Sequence, residues 1–227
     1  MLMMPTHESI INAYRKYAEK YDFIVNLYRI IGIRIKKYRR LAVNALELSK
    51  GDTVLELGCG TGLNFSLLED AIGPDGKIIG VDITDKMLDQ AKKRIEVNGW
   101  KNVELVLADI ADYAIPKDVD GIIALGSLTY SPEYDKIIKN GYDALKNGKK
   151  FVVFDTKMSE SPSRIFVPVL LLLTKPFGVG KDYIKRHPWE SIKKYFEEGS
   201  YQEGYGGFVY LSVGIKKSKK YKIKNNP

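Results

Sequence analysis

The sequence has few residues of the kinds that build disulfide frameworks or histidine-based sites. Its single cysteine, Cys59, excludes an intramolecular disulfide framework and is typical of a reducing compartment. Only two histidines are present, so any site that depends on imidazole must use His7 or His187. With 227 residues, of which 44% are hydrophobic and 28% charged, the chain is long enough to bury a core without a structural metal. We therefore expect one main globular domain with no metal site.

Long hydrophobic runs are also missing. The most apolar stretch, Ile165 to Leu173, contains Pro168 and has about half of the ~18 residues that a membrane-spanning helix needs. The first residues show no basic region followed by an apolar core, which is the pattern of a secretory signal. These features predict a cytoplasmic protein that is either soluble or peripheral at a membrane.

The positive charge of the chain is concentrated in two places. Basic residues outnumber acidic ones by 36 to 28, for a net charge of +8. Residues 29–40 hold six basic residues interleaved with isoleucines, residues 216–224 hold six lysines, and neither stretch has an acid. A basic helix with an apolar face is typical of docking to anionic lipid. A helix that simply buries its isoleucines explains residues 29–40 equally well, so the membrane surface is one hypothesis for a partner.

The order of predicted elements indicates a doubly wound α/β fold. The first 48 residues have helical spacing, and short apolar strands then alternate with helices. This alternation predicts a parallel sheet with helices on both faces. Strands are expected at 53–57, 77–82, 103–108, 119–125 and 149–154, helices at 63–71, 84–97, 132–145 and 189–197, an apolar segment at 165–177, and a strand pair within 201–216.

The sharpest motif is a glycine loop that connects the first strand to the following helix. Gly58, Gly60 and Gly62 stand at alternate positions directly after the strand. Glycine permits positive φ and lets a ligand approach the main chain, and the first strand-to-helix turn of such a sheet is a ligand site. The spacing is not that of a nicotinamide dinucleotide site, because the residue three beyond Gly60 is Leu63. Glu56, two residues before the loop, suits a cationic or amino-bearing ligand better than a pyrophosphate.

Two further carboxylates follow the next two strands. Asp82 ends the second strand about twenty residues beyond the loop, where a carboxylate can accept hydrogen bonds from a ribose diol. Asp109 follows the third strand, where it would bind an adenine amino group while Ile83 and Ile110 sandwich the ring. These positions beside a glycine loop predict a nucleoside-binding site.

The chain resembles the class I S-adenosylmethionine-dependent methyltransferases over about residues 50 to 155. The resemblance rests on E-L-G-C-G-T-G at 56–62, G-V-D-I-T at 80–84 with Met87 after it, and L-A-D-I at 107–110. It implies a Rossmann-like sheet of seven strands whose last strand is antiparallel. It also implies S-adenosylmethionine as the cofactor and S-adenosylhomocysteine as the product. The cofactor contacts that it implies are Glu56, Gly58, Cys59, Gly60, Gly62, Asn64, Asp82, Ile83, Met87, Asp109, Ile110 and Leu125.

The same reasoning divides the chain into three parts. Residues 1–48 are predicted to form an N-terminal helical cap, and residues 49–216 the catalytic domain. The catalytic domain would include an apolar lid segment at 159–190, although residues 165–177 fit a core helix or a dimer contact equally well. Residues 217–227 are predicted to be a basic tail.

Nucleic-acid methylation finds little support in the sequence. The segment after the fourth strand, residues 124–130, lacks the Asn/Asp-Pro-Pro-Tyr/Phe pattern of enzymes that methylate base amino groups. There is no second cysteine for pyrimidine C5 chemistry. An RNA methyltransferase and a non-catalytic S-adenosylmethionine-binding module remain as alternatives from other classes.

The opening Y-R-K-Y-A-E-K-Y-D, residues 14–22, resembles the start of small-molecule enzymes in this superfamily. These include ubiquinone/menaquinone C-methyltransferases and bacterial phospholipid N-methyltransferases. The resemblance implies that the cap covers the cofactor, so Tyr17 and Tyr21 are candidates to line the methyl site; packing of both tyrosines on the sheet is an equal alternative. His187 is the candidate general base; the alternative is that His187 lies in a surface loop and has no catalytic role. We expect a methyltransferase with a small or lipid-like acceptor, phospholipid-type N-methylation being favoured and quinone-ring C-methylation the alternative; the sequence leaves the oligomeric state open.

Overall fold

The computed structural model describes residues 7–27, 32, 34–159 and 183–217. Within these residues one sheet has the strand order β3-β2-β1-β4-β5-β7-β6. The last strand, β7, is antiparallel to both of its neighbours, β5 and β6, and all other pairs are parallel, which confirms the predicted mostly parallel sheet with an antiparallel last strand. The strands are β1 (Thr53–Leu57), β2 (Lys77–Asp82), β3 (Val103–Leu107), β4 (Val119–Leu125), β5 (Leu145–Thr156), β6 (Glu197–Gly204) and β7 (Val209–Ile215).

Seven α-helices belong to the described part of the chain. They are α1 (His7–Tyr17), α2 (Tyr21–Leu27), α3 (Ile35–Ala45), α4 (Phe65–Ile72), α5 (Asp85–Asn98), α6 (Tyr134–Ala144) and α7 (Pro188–Tyr195). Three 3-10 turns, Ala18–Lys20, Leu128–Tyr130 and Tyr183–Lys185, connect them to their neighbours. None of the helices in these ranges is both long and apolar enough to cross a membrane.

The predicted strands and helices that fall within the described residues are present, and two strands begin four residues earlier than predicted: β5 at Leu145, and β6 at Glu197, which the sequence predicts as the end of a helix. The sequence predicts a helix that ends at residue 145 and a strand that begins at residue 149, whereas the structure begins the strand at Leu145. Leu145 pairs with Val119 across a register shift. The Gly148 amide also donates to the Lys216 carbonyl at 2.8 Å. Residues 145–148 therefore form an irregular strand because they bond to Val119 and to Lys216, which follows β7 and is distant in sequence.

The sheet separates two hydrophobic cores because the side chains of successive strand residues point to opposite faces. On one face Leu55, Ile122 and Phe151 pack with residues of α6 and α7. On the other face Val54, Ile123 and Val152 pack with residues of α3, α4 and α5. Both faces are covered, as a parallel sheet requires.

The N-terminal helices lie against α5 at the carboxyl end of the parallel strands. The Arg15 Nε atom on α1 lies 2.7 Å from an Asp85 carboxylate oxygen at the start of α5, and Ala18 in the connecting turn is buried. Residues 29–31 and 33 of the basic stretch 29–40, the apolar segment 165–177 and the tail beyond Lys217 lie outside the described residues. The division into cap, catalytic domain, lid and tail stays a prediction.

Candidate active site

The glycine loop lies where the chain reverses its direction of travel across the sheet. β1 pairs with β2 on one side and with β4 on the other, so the helices that follow β1 and β4 leave a crevice between them. The amides of Gly58 and Cys59 both donate to the Val81 carbonyl, at 2.8 and 3.0 Å. These bonds hold the loop against the end of β2.

Two of the loop glycines are required for different geometric reasons. Gly58 has φ +73°, and a Cβ atom there would lie 2.4 Å from the Ser127 Cβ atom. Gly60 has φ +56° and exposes its main chain to the cavity. A side chain at either position would push the turns that follow β1 and β4 apart or fill the cavity.

A cavity of about 290 Å³ opens beside this loop. Main-chain glycine atoms, two carboxylates, aliphatic side chains and four tyrosines form its wall. The described residues that line it are Ile10, Tyr14, Tyr21, Gly58, Gly60, Asp82, Ile83, Thr84, Met87, Asp109, Ile110, Leu125, Gly126, Ser127, Tyr130, Ser131, Pro132, Tyr183 and Arg186.

Asp82 connects the loop to the start of α5. Its Oδ2 atom accepts the Gly60 amide at 2.8 Å and its Oδ1 atom accepts the Thr84 amide at 2.8 Å. Burial raises the pKa of Asp82 above its ordinary value, and the hydrogen bonds to Thr84 and Gly60 oppose this shift. Asp109 accepts the Ala111 amide at 2.9 Å and so closes the turn after β3. Both carboxylates therefore occupy fixed positions on the cavity wall.

This side of the cavity fits the nucleoside portion of S-adenosylmethionine. The Gly58 and Gly60 main chain forms a cradle without Cβ atoms, and the wall continues with Asp82, Asp109 and two isoleucines. A carboxylate at Asp82 suits ribose hydroxyls, while Ile83 and Ile110 offer apolar surface to a ring. The predicted cofactor contacts Gly58, Gly60, Asp82, Ile83, Met87, Asp109, Ile110 and Leu125 all line the cavity.

An aromatic side of the cavity is formed by tyrosines and, among the described lining residues, one cation, Arg186. The Tyr14 hydroxyl on α1 donates to the Tyr130 hydroxyl at 3.0 Å, and the Tyr14 ring centroid lies 6.1 Å from that of Tyr21. Tyr130 also contacts Tyr183, with ring centroids 5.3 Å apart, and the Arg186 guanidinium lies 4.9 Å from the Tyr183 ring. Burial raises the pKa of Tyr14 and of Tyr130 above the usual value for tyrosine, so both stay protonated at neutral pH.

Glu56 lies behind the glycine loop and not on the cavity wall. Its Oε1 atom accepts a hydrogen bond of 2.5 Å from Asn64 Nδ2, and Arg39 Nη1 lies 3.3 Å from Asn64 Oδ1. Glu56 is 1% exposed, and its Oε2 atom is buried without a hydrogen-bond partner. Burial raises the pKa of Glu56 to about 7. Glu56 and Asn64 are therefore buried residues that stabilise the loop on the side away from the cavity.

Besides Glu56 and Asn64, four more predicted site residues lie outside the cavity lining, each with a different physical cause. The Cys59 thiol points into the core, where a Cβ atom on Gly80 would lie 3.0 Å from its sulfur. The Gly62 main chain accommodates the Phe65 ring. Tyr17 ends α1, and the 3-10 turn that follows shifts the helical phase so that Tyr14 and Tyr21 face the cavity instead. His187 precedes α7, with Nδ1 3.2 Å from Glu190 and its ring 4.6 Å from that of Trp189.

On the aromatic side, the sequence predicted Tyr21 and missed Tyr14, Tyr130, Tyr183 and Arg186. Ser127 and Tyr130 follow β4, so their position at the carboxyl end of a central strand was an available signal. Tyr183 and Arg186 come from a segment without recognisable periodicity, and only the tertiary structure brings them to the cavity. The described residues include no group of three or more His, Cys, Asp or Glu side chains arranged to hold a metal ion.

Comparisons with known proteins agree with this geometry. The model of a family described as a methyltransferase domain matches residues 48–168. The demethylmenaquinone methyltransferase of Listeria welshimeri is 24% identical over 196 residues, which are 83% of this chain and 81% of that protein. The demethylmenaquinone methyltransferase of Lactobacillus johnsonii is 31% identical over 160 residues, covering 68% of this chain and 64% of that protein.

Solved structures show the same fold. A SAM dependent methyltransferase from Aquifex aeolicus superimposes with a TM-score of 0.56 at 19% identity, covering 78% of this chain and 89% of that chain. The geranyl diphosphate C-methyltransferase from Streptomyces coelicolor, solved with S-adenosyl-L-homocysteine, gives a TM-score of 0.63 at 14% identity, with 80% and 79% of the two chains covered. At these identities the likeness establishes the architecture and leaves the acceptor to be argued from the site.

Proposed function

Because the chain belongs to the methyltransferase domain family and is an S-adenosylmethionine-dependent methyltransferase, we propose that its acceptor is a hydroxylated aromatic ring of the quinol type, methylated at carbon. Two relatives along most of the chain, at 24% and 31% identity, are named for methylation of demethylmenaquinone. The expected preference for phospholipid N-methylation is not supported, since neither of these relatives is named for it. The quinone-ring alternative is the better-supported of the two.

The observation that carries this proposal is the chemistry of the aromatic side of the cavity. Four tyrosines and the Arg186 guanidinium form this side. The tyrosine rings offer stacking surface to a planar acceptor, and aromatic pairs gain about 0.5–1.5 kcal/mol beyond the area that they bury. A flat, oxygen-bearing acceptor matches this lining.

Arg186 favours an acceptor oxygen over an acceptor amine. The guanidinium is cationic at any working pH, so it lowers the pKa of a nearby ring hydroxyl. An ionised hydroxyl pushes electron density onto the neighbouring ring carbon and makes that carbon the nucleophile. An amine would instead become a positively charged methylammonium beside the same guanidinium, which costs electrostatic energy.

The chain's residues act in this reaction by alignment and by holding charge. The bound cofactor supplies an electrophilic methyl group on a sulfonium. The ring carbon would form the new C–C bond while the C–S electron pair goes to sulfur, and the proton on that ring carbon would then pass to water, which restores aromaticity. The glycine loop and Asp82 hold one reactant while the tyrosines hold the other, and fixing two reactants in line is the main source of rate in such a displacement. Arg186 stabilises the acceptor oxyanion.

The test is a labelled-methyl transfer assay that offers two acceptors to the whole chain. One is a naphthoquinol that lacks its ring methyl group, and the other is phosphatidylethanolamine, both in the same detergent. We expect label in the quinol, and we expect Arg186→Gln to lower kcat about tenfold or more because the charged contact is lost. Cofactor affinity should stay unchanged. Lys139→Gln, which removes an exposed ion pair on α6, is the control. Label in the phospholipid alone would overturn the proposal.

We also infer that the cap meets an anionic lipid surface, where a quinol with an apolar tail would reside. Tyr21 on α2 lines the cavity, while Phe23 and Leu27 on the same helix are 66% and 40% exposed. Residues four apart share one helix face, so this face is apolar and uncovered by the described residues. Lys36, Lys37 and Arg40 on the nearby α3 are exposed and supply positive charge. Apolar and basic side chains together are what an anionic interface binds.

A further inference from the structure

The carboxylate of Asp155 lies at the end of β5 and organises the turn that follows β4. Asp155 is 2% exposed. Its Oδ1 atom accepts the Thr129 hydroxyl at 2.7 Å and the Thr156 amide at 2.8 Å, and its Oδ2 atom accepts the Thr129 amide at 3.1 Å. The two oxygens of the buried Asp155 carboxylate therefore fix both the main chain and the side chain of Thr129.

Thr129 is the central residue of a turn that faces the cavity. Ser127 and Tyr130 on either side of it line the cavity, whereas Thr129 itself points away from it and is buried. The Thr129 carbonyl accepts a hydrogen bond of 2.5 Å from Arg186 Nη1. Three chain segments, namely the end of β5, the turn after β4 and residues 183–186, thus meet at Thr129, which bonds to Asp155 on one side and to Arg186 on the other.

We propose that Asp155 is a positioning residue for the methyl acceptor: through Thr129 it holds Tyr130 and Arg186 at the acceptor side of the cavity. Asp155 touches neither reactant. This proposal rests on methyl transfer in this cavity and not on the identity of the acceptor, so it survives if the acceptor is not a quinol.

An ionised carboxylate suits this role better than any neutral side chain. The Thr129 amide, the Thr129 hydroxyl and the Thr156 amide all point donors at it, and a carboxylate is an acceptor at both oxygens. An amide at this position would turn one NH2 group toward a donor and leave a buried amide hydrogen unpaired, which costs about 1–3 kcal/mol. The turn would then move, and Tyr130 and Arg186 would move with it.

The charged and titratable neighbours of Asp155 are consistent with an ionised carboxylate during turnover. Burial raises the pKa of Asp155 to about 6, against the hydrogen bonds from Thr129 and Thr156. Tyr130 on the turn and Tyr210 on β7 face it as neutral phenols, because burial raises the pKa of each. Arg186 is bound to the Thr129 carbonyl on the other side of the turn. Above about pH 6 the group is an acceptor at both oxygens, and below it one oxygen carries a proton.

Asp120 provides a matched control, since it is a buried carboxylate at the opposite end of the neighbouring strand β4. It is 5% exposed and accepts the Thr53 amide at 3.1 Å and the Lys146 ammonium at 2.8 Å, far from the cavity lining. Asp155→Asn and Asp120→Asn both remove one buried negative charge. Comparing the two separates a loss of stability from a loss of acceptor positioning.

The experiment measures methyl transfer, cofactor affinity and the state of Arg186 in the full chain. We expect Asp155→Asn to lower kcat at least tenfold, to leave the Kd for S-adenosylmethionine within twofold, and to remove the inflection near pH 6 from the kcat profile. Asp155→Glu should restore part of kcat. Asp120→Asn should change none of these. Wild-type kcat in Asp155→Asn, or an equal loss in Asp120→Asn, would overturn the proposal.

A second readout does not depend on knowing the acceptor. The NMR signals of the Arg186 guanidinium, assigned with an Arg186→Lys variant, report how freely its Nε–Cζ bond rotates. We expect slow rotation in the wild type and in Asp120→Asn, because Thr129 holds one nitrogen, and fast rotation in Asp155→Asn. Equal rotation in Asp155→Asn and the wild type would disprove the positioning role. A wild type that methylates no quinol but shows this pattern would refute only the proposed acceptor.

Discussion

The Asp22 carboxylate on α2 accepts a hydrogen bond of 2.6 Å from the Thr61 hydroxyl in the glycine loop. Its other oxygen pairs with Arg94 on α5, and the Arg94 Nε atom donates to the Thr61 carbonyl at 2.9 Å. One carboxylate thus ties the N-terminal cap to the loop that borders the cavity. Asp22 is the last residue of the motif at residues 14–22. The sequence assigned a possible role only to the tyrosines of this motif, whereas in the structure its aspartate connects the cap to the loop.

Asp22→Asn should loosen the cap. The amide keeps an acceptor for Thr61 but loses the charge that pairs with Arg94, and such a partly exposed pair is worth about 1 kcal/mol. We expect S-adenosylmethionine to bind about three- to tenfold more weakly by calorimetry, and residues 7–27 to exchange amide hydrogens faster. Asp89→Asn, which breaks the exposed pair with Lys86 on α5, should leave both unchanged. Unaltered exchange in the cap of Asp22→Asn would contradict the clamp.

Asp82→Ala should weaken cofactor binding more strongly. The substitution removes a carboxylate from the cavity wall and also the acceptor that holds the Gly60 amide. Hydrogen bonds to charged groups contribute about 1.5–3 kcal/mol, so we expect a loss of tenfold or more in affinity by calorimetry. Asp112→Ala, at a side chain that is 82% exposed, is the control. An unchanged Kd in Asp82→Ala would remove the basis of the cofactor assignment.

Glu56→Gln should change how stability depends on pH. The folded chain holds the Glu56 proton up to a pKa of about 7, compared with an ordinary value of 4.5. Its contribution to stability is therefore complete below about pH 4.5 and is lost as the pH rises through 7. The difference between these two pKa values corresponds to about 3 kcal/mol of unfolding free energy. Gln has the same shape without the charge, so we expect the variant to gain thermal stability over the wild type between pH 5 and pH 8.

The control for that measurement is Glu104→Gln, since Glu104 is an exposed residue that pairs with Lys77. Its stability difference from the wild type should hardly vary over the same pH range. If Tm of Glu56→Gln follows the wild type in parallel from pH 5 to pH 8, Glu56 is already ionised in the folded chain at low pH.

Phe23→Ser combined with Leu27→Ser should reduce binding to anionic vesicles. Each exposed side chain would bury apolar area worth about 1.5–3 kcal/mol on insertion, so we expect at least a tenfold loss in flotation with vesicles that contain phosphatidylglycerol. Val97→Ser, which changes an 87% exposed side chain on α5, should float like the wild type. Equal flotation of all three proteins, or no preference for anionic lipid, would refute the membrane surface.

Local chemistry made much of the fold predictable. β1, β2 and β4 have the predicted bounds, because buried parallel strands contain short apolar runs that the sequence shows directly. The helix predicted at 84–97 corresponds to α5, which is capped by Gly99 with φ +70°. The start of β5 was not predictable, because the bond between Gly148 and Lys216 joins residues far apart in the chain.

The sequence by itself determined the glycine loop, the acidic strand ends and the family, since these depend on backbone conformations and residue types that are read in order along the chain. Only the tertiary structure decided which side chains face the acceptor. A three-residue turn after α1 brings Tyr14 and Tyr21 to the cavity and not Tyr17, and one buried carboxylate, Asp155, gathers Tyr130 and Arg186 from separate segments. Helical phase and long-range hydrogen bonds set these positions, and neither leaves a signal in local spacing.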